Sequence, residues 1–139
     1  MPWPVVVARE RVRYAETDGM GVAYHSNFLI WFEIGRTTYM REAGSAYREL
    51  EAAGYFMPVA TFQGELREAL RYDDEIEIHT SVARVRSRQV DFAYEIRCRG
   101  RLVASGSTSH ICVDRQKHPV ALPQTLRDVL SPGTSPLAR

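Results

Sequence analysis

The segment spanning residues 28–39 constrains the fold more than any other part of this sequence. Its apolar residues recur at helical spacing and form a stripe that covers much of the helix circumference. A helix with this pattern is buried, so the rest of the chain must supply a surface that encloses it. The apolar positions of the stripe are Phe28, Leu29, Trp31, Phe32, Ile34, Gly35 and Tyr39.

The enclosing surface is predicted to be one antiparallel β-sheet. Its clearest strand pattern begins at Gln89, where apolar residues from Val90 to Cys98 alternate with mostly charged ones. One strand precedes the buried helix and four follow it, which predicts an α+β fold with a five-stranded sheet wrapped on one long helix. The predicted strands are residues 5–14, 56–68, 75–86, 89–99 and 101–114.

Shorter signals refine this outline. Ser45 is predicted to cap a second, short helix that Gly54 closes, and residues 123–130 form a last short helix. Gly64 indicates a bulge or the close approach of another backbone within its strand. The small residues at 104–109 indicate that a helix lies close to the central part of the sheet.

Composition is typical of a soluble globular domain. The 139 residues allow one domain, placed at residues 1–130, followed by a flexible tail at 131–139 that contains two prolines. The net charge of +1 gives no strong field for nucleic acid, and residues 2–8 are too short to be a signal peptide or membrane span. Cys98 and Cys112 lie far apart along the predicted hairpin, so we expect reduced thiols and a cytoplasmic protein.

A sheet of five strands with one helix leaves a free edge. The unpaired N–H and C=O groups of an edge strand favour pairing with a second copy of the same chain. The sequence therefore predicts a homodimer with a continuous sheet.

Asp18 is the candidate for chemistry. It lies in a glycine-rich turn just before the buried helix, where free backbone N–H groups can stabilise a developing oxyanion. Judged by residue types alone, Asp18 is either a turn or capping carboxylate, or a catalyst that attacks a thioester carbonyl or activates water. His25 offers a backbone N–H at the helix start, and no partner at metal-ligand spacing accompanies it, so no metal site is predicted.

Two charged groups have a structural and a functional interpretation. Glu33 and Arg36 are three residues apart on the long helix, and the spacing predicts an ion pair. Arg84, Arg86 and Arg88 cluster where the apolar alternation stops, so this strand is predicted to project past the core. They form either a solvated rim or a binding site for an anionic group such as coenzyme A phosphates.

The residues around Asp18 also form a family motif. It runs Tyr14-x-x-Thr17-Asp18-x-x-Gly21-x-x-Tyr24-His25-x-Asn27-Phe28 and is followed by Glu33-x-x-Arg36. The motif resembles that of the hot-dog-fold acyl-CoA thioesterases, in the branch of 4-hydroxybenzoyl-CoA thioesterase and the Tol-Pal-associated thioesterases. Residues 71–76 resemble the same branch, and the resemblance covers residues 5–122. Ala69 departs from the pattern, because many such sequences have proline there.

The resemblance implies an acyl-CoA thioesterase that releases a free carboxylic acid and coenzyme A. Asp18 would be the catalytic carboxylate, and the His25 backbone N–H would polarise the thioester carbonyl beside Tyr24. Coenzyme A would be part of the substrate and not a cofactor. It would lie across the interface of a homodimer, and two dimers would form a tetramer. The residues assigned to substrate binding are Gly21, Tyr24, Asn27, Arg86 and Arg88.

Three alternatives compete with this interpretation. A non-catalytic acyl-CoA-binding module of the same fold would bind the thioester without releasing a free thiol. A hot-dog dehydratase would need its acid–base pair on the helix, whereas Asp18 and His25 precede it. The other thioesterase branch carries its acid further into the helix, where Glu33 stands, and the expected pairing with Arg36 disfavours this. Residue types are compatible with short-chain, long-chain and aromatic acyl groups alike.

Overall fold

The computed structural model describes residues 3–138, so Met1, Pro2 and Arg139 lie outside the described residues. The described chain forms a five-stranded antiparallel sheet in the order β1-β3-β4-β5-β2, which confirms the predicted α+β architecture. The strands are β1 (Val5–Arg11), β2 (Val59–Leu66), β3 (Glu75–Val85), β4 (Gln89–Cys98) and β5 (Arg101–Ile111), and the α-helices are α1 (Ser26–Glu42), α2 (Tyr47–Ala52) and α3 (Gln124–Leu130).

The long helix α1 packs on one face of the sheet, as its apolar stripe predicts. Trp31, Phe32 and Tyr39 are almost completely buried, and the ring of Phe32 stacks on that of Tyr94 in β4 at 4.4 Å between centroids. Leu29 differs from the prediction, because 38% of it is exposed. One side of α1 therefore remains uncovered within a single chain.

Close packing between α1 and the sheet depends on small residues, as predicted for residues 104–109. A Cβ atom at Gly106 would lie 2.6 Å from both the Phe32 ring and the Gln63 carbonyl oxygen. At Gly64 it would lie 3.3 Å from the Ser105 carbonyl oxygen, so this glycine marks a close backbone approach. These glycines let β2 and β5 pass directly beneath the helix.

Several element boundaries differ from the sequence prediction: β2 and β5 are shorter than the predicted residues 56–68 and 101–114, and β1 and the second helix differ for local reasons. β1 ends at Arg11 and not at Tyr14, because Val12 turns into the core and a 3-10 turn, Tyr14–Glu16, follows. The second helix does not use Ser45 as its cap, since its N-cap residue is Ala46, which makes no side-chain cap hydrogen bond. Gly54 closes that helix with φ of 93°, as expected.

The remaining expectations concern the cysteines, membrane-spanning segments and the C-terminal tail. Cys98 and Cys112 are buried free thiols, as predicted. No helix within residues 3–138 is long and apolar enough to span a membrane. The described part of the tail contains a 3-10 turn, Pro136–Ala138, and a buried Ser135. Its predicted flexibility, like the domain limits, stays a prediction.

Candidate functional site

Asp18 lies in a tight hairpin that connects the 3-10 turn to α1. Thr17 and Ala23 form an antiparallel bridge across the base of the hairpin. Within it, the Asp18 N–H donates to the Val22 carbonyl and the Gly21 N–H donates to the Asp18 carbonyl, each at 2.9 Å. Gly21 has φ of 77°, a left-handed conformation that glycine adopts at little cost. The glycine-rich sequence therefore produces a turn that presents one carboxylate.

The hairpin is fixed to the start of β3. The Ala23 N–H donates to the Leu70 carbonyl at 2.8 Å, and Val22 forms an antiparallel bridge with Arg71. The turn that follows Arg71 is itself closed by Asp74, whose Oδ2 accepts the Arg71 N–H at 2.8 Å. Asp18 is thus attached to the sheet through backbone contacts that the sequence motif alone did not indicate.

The two carboxylate oxygens of Asp18 have different surroundings. Oδ1 accepts the Met20 N–H at 2.8 Å, which is a local turn hydrogen bond. Oδ2 accepts no hydrogen bond from the described residues, and the side chain is only half-buried. Asp18 is therefore a turn carboxylate through one oxygen and leaves the other available to a ligand or water.

His25 stands at the N-terminus of α1, a helix of 17 residues. The N–H groups of Tyr24 and Asn27 are occupied, since the Tyr24 N–H donates to the Glu16 carbonyl and the Asn27 N–H to the Tyr24 carbonyl. The His25 N–H has no acceptor among the described residues. The imidazole is exposed and packs against the Tyr24 ring at 4.2 Å between centroids. The N–H groups of His25 and Ser26 are therefore free of acceptors within residues 3–138 and lie at the positive end of a long helix.

Asn27 and Glu16 join the hairpin to the helix. The Asn27 Nδ2 group donates to the carbonyls of Glu16, at 2.8 Å, and Tyr24, at 3.1 Å. The buried carboxylate of Glu16 accepts the Arg13 N–H at 2.7 Å. Sequence reasoning missed Glu16, although its position three residues after Arg13 matches the spacing of a helix capping box.

Arg86 and Arg88 lie apart from this cluster within one chain. They are exposed in the β3–β4 hairpin, which the Arg86 N–H closes through the Gln89 carbonyl at 2.8 Å. The hairpin of Asp18 is bonded to residues 70–71, just before the opposite end of β3, which is roughly 35 Å away for an 11-residue strand. Arg84 forms an ion pair with Asp91 at 3.3 Å. The structure therefore brings together the predicted site residues from Asp18 to Asn27, but not the two arginines.

The predicted ion pair between Glu33 and Arg36 is wrong, since no such pair forms in the structure. Arg36 instead lies beside the phenols of Tyr47 and Tyr94. Burial raises the pKa of both phenols, and the Arg36 charge opposes that rise. Glu33 remains exposed at the surface of α1.

A buried polar chain, which sequence reasoning missed, lies behind Arg36. The Tyr94 hydroxyl contacts Thr108 Oγ1 at 2.6 Å, and Thr108 Oγ1 contacts His110 Nε2 at 2.8 Å. His110 Nδ1 donates to the Met57 carbonyl at 3.0 Å, which leaves Nε2 as the acceptor of the neutral ring. Burial lowers the pKa of His110 to about 4, with a smaller contribution from Arg36. This chain ties β4 and β5 to the segment that enters β2.

Within residues 3–138, no three His, Cys, Asp or Glu side chains lie close enough together to hold a metal ion.

Comparisons with known proteins show which family this chain resembles in sequence and in fold. The family model of the thioesterase-like superfamily matches residues 12–130. YneP of Bacillus subtilis is 36% identical over 106 residues, which are 76% of this chain and 77% of that protein. The acyl-CoA thioester hydrolase YbgC of Escherichia coli is 30% identical over 126 residues, 89% of this chain and 90% of YbgC. The solved DHNA-CoA thioesterase of Staphylococcus aureus matches with a TM-score of 0.85 at 31% identity, covering 89% of this chain and 85% of that one.

The family match includes the Asp18 hairpin, the whole of α1 and strands β2 to β5. The structural match extends over most of the chain, so the motif and the fold identify the same group of enzymes. This chain belongs to the thioesterase-like superfamily of hot-dog-fold thioester hydrolases.

Proposed function

We propose that this chain hydrolyses an acyl-CoA thioester to a free carboxylic acid and coenzyme A. The observation that carries the proposal is one carboxylate with an open oxygen, on a hairpin that leads directly into a helix whose N-cap residue, His25, has an N–H without an acceptor among the described residues. The names of related proteins, such as the acyl-CoA thioester hydrolase YbgC, support the same substrate class.

Asp18 acts in its ionised form, as nucleophile or as general base. As a nucleophile, Oδ2 attacks the thioester carbonyl, the C–S bond breaks, and coenzyme A leaves as a thiolate that takes up a proton. Water then hydrolyses the mixed anhydride and regenerates Asp18. As a base, Asp18 takes a proton from water, and the resulting hydroxide attacks the carbonyl and expels coenzyme A. The hydrogen bond from Met20 N–H to Oδ1 holds the carboxylate plane in both cases.

The His25 backbone N–H supplies the oxyanion donor. Negative charge develops on the carbonyl oxygen when either nucleophile adds to the thioester. A donor with no competing acceptor within residues 3–138, at the positive end of a 17-residue helix, can stabilise that charge without reorganisation. The exposed rings of His25 and Tyr24 would then form one wall beside the reacting carbonyl.

A second copy of the chain would complete the site. All eight residues of β2 are exposed, so this edge is open to antiparallel pairing with β2 of a partner. Such a two-fold pairing places the partner's β3–β4 hairpin at the same end of the combined sheet as Asp18. Arg86 and Arg88 could then bind the phosphates of coenzyme A across the interface. Pairing of two dimers into a tetramer remains part of the proposal.

A thiol-release assay with short-chain, long-chain and aromatic acyl-CoA substrates tests the proposal. Asp18→Asn, nearly isosteric but unable to serve as nucleophile or base, should lose at least about a hundredfold in kcat. Asp73→Asn is the matched control, because Asp73 is an exposed turn carboxylate with φ of 70°, which asparagine also adopts. Unchanged turnover in Asp18→Asn would exclude Asp18 from the mechanism. Binding of acyl-CoA without any thiol release would support a binding module instead.

A further inference from the structure

The side chain of Asn27 has no hydrogen-bonding capacity left on its amide nitrogen. Its two N–H bonds donate to the carbonyls of Glu16 and Tyr24, at 2.8 Å and 3.1 Å. Glu16 precedes the Asp18 hairpin and Tyr24 follows it, so one amide group connects both arms of the hairpin to the first turn of α1. A substrate contact through Nδ2 would have to break one of these bonds.

The Glu16 carbonyl is the point at which the two arms meet. It accepts the Tyr24 N–H at 2.8 Å in addition to the Asn27 amide. The Glu16 side chain is 5% exposed, and its carboxylate accepts the Arg13 N–H at 2.7 Å. The position of Glu16 is therefore fixed through its side chain as well as through its carbonyl. Asn27 therefore attaches the helix to a well-fixed residue and not to a mobile one.

The tip of the hairpin is held by two local hydrogen bonds, from the Met20 and Gly21 N–H groups to Asp18. Gly19, Met20 and Gly21 are exposed, and a Cβ atom at either glycine would meet no heavy atom within 4 Å. Two glycines in four residues also give the backbone wide conformational freedom. Within residues 3–138, Asn27 is the one α1 residue whose side chain hydrogen-bonds to either arm of this hairpin.

We infer that Asn27 is a positioning residue, which holds the Asp18 carboxylate in register with the His25 N–H by donating two hydrogen bonds to the hairpin backbone. The inference rests on the proposed function, in which Asp18 and the His25 N–H act on one carbonyl group. It replaces the substrate-binding role that the sequence predicted for Asn27. Small errors in the placement of reacting groups reduce turnover strongly while leaving substrate affinity nearly intact.

The test compares three variants. Asn27→Asp keeps the shape of the side chain but removes both donors and sets a negative charge against two carbonyl oxygens. Asn27→Ser is neutral and keeps one shorter donor. Ser26→Ala is the matched control, because Ser26 is its exposed neighbour in the same helical turn and its side chain makes no hydrogen bond to the described residues.

In the thiol-release assay, Asn27→Asp should lose on the order of ten- to a hundredfold in kcat with KM changed by less than about threefold. Asn27→Ser should fall between this variant and the wild type, and Ser26→Ala should equal the wild type. A rise in KM with kcat retained would overturn the inference and restore a substrate-binding role. Unchanged kinetics in Asn27→Asp would also overturn it.

Hydrogen exchange provides a readout that does not depend on activity. In Asn27→Asp, the amides of Gly21 and Tyr24 should exchange faster than in the wild type, while those of β3 and β4 stay unchanged. If the wild type releases no thiol, the proposed function fails but this measurement still tests the positioning role. Faster exchange throughout the sheet would mean that Asn27→Asp is misfolded, and Asn27→Ser then decides. Unchanged exchange in the hairpin of Asn27→Ser would overturn the inference.

Discussion

The two edges of the sheet are built differently. On β1, Arg9 pairs with Glu77 at 2.9 Å and Arg11 with Glu75 at 3.2 Å, so charged side chains follow the edge. On β2, every residue is exposed and Glu65 carries the strand's one charge. Phe62 is 61% exposed and Leu66 is 54% exposed, without any cover in a single chain.

This difference indicates that β2, and not β1, is the edge suited to pairing with a second copy of the chain. Charged residues on an edge strand oppose the addition of another strand, whereas an apolar edge with free backbone groups favours it. Phe62 lies opposite Thr108, whose side chain is buried on the α1 side of the sheet. Phe62 is therefore on the α1 side of the sheet, and Leu29 and Ile30 of α1 are exposed as well. A partner's β2 and α1 would cover this strip.

The largest effect is expected from a charge at the β2 edge. Phe62→Asp should convert the proposed dimer to a monomer of 15.8 kDa, because a carboxylate would be buried twice in a two-fold interface. A central interface aromatic contributes at least about 2 kcal/mol, so two copies raise the dissociation constant on the order of a thousandfold. Sedimentation velocity at micromolar concentration measures this directly.

The matched change at the other edge is Val7→Asp, which places the same charge on β1 at a residue that is 36% exposed. It should leave the sedimentation coefficient unchanged. A wild-type chain that sediments only as a monomer would contradict the proposed dimer. A dimer lost in Val7→Asp but not in Phe62→Asp would reverse the roles of the two edges.

An intermediate effect is expected from acid, through His110. Because burial lowers the pKa of His110 to about 4, from about 6.5 in the unfolded chain, the unfolded state binds its proton first as pH falls. The contribution of neutral His110 to stability should therefore be fully present above about pH 7. The free energy of unfolding should decrease by about 2 kcal/mol between pH 7 and pH 5. Protonation also removes the acceptor that Nε2 offers to Thr108.

Urea unfolding at the two pH values measures this change. His110→Gln should have a much smaller pH dependence, and His118→Gln, a change at an exposed histidine, should behave as the wild type. His110 Nδ1 donates a hydrogen bond to the Met57 carbonyl just before β2. As pH falls, hydrogen exchange corrected for pH should therefore increase at the β2 edge before it increases at β1. An equal increase at both edges would contradict a local role for His110.

Much of this architecture could be predicted from side-chain periodicity. Strand alternation from Val90 to Cys98 and the apolar stripe of α1 identify the sheet and its helix, because burial imposes one period on each element. The glycine-rich turn at Asp18 and the start of α1 could also be predicted, because both signals are local in the sequence. The close packing at Gly106 could also be anticipated from small residues.

Long-range polar contacts could not be predicted in this way. The chain from Tyr94 through Thr108 to His110 reads as part of an ordinary strand pattern, because its partners come from different elements. The spacing of Glu33 and Arg36 predicts an ion pair, whereas in the structure the Arg36 guanidinium lies beside the buried phenols of Tyr47 and Tyr94. The partner of a polar side chain depends on the free energy of burying each group. The separation of two residues in the sequence does not give this free energy.

The smallest effect is expected when the charges on β1 are removed. Arg9→Val combined with Arg11→Val makes this edge resemble β2 in composition, but Glu75 and Glu77 remain beside it. The double variant should therefore show only weak association beyond the dimer, detectable by light scattering at high protein concentration. Arg101→Val is the control, because Arg101 has a similar exposed ion pair, with Glu68 at 3.4 Å, but lies on an inner strand. Association of the control to the same extent would mean that the arginines maintain solubility in general and do not protect an edge.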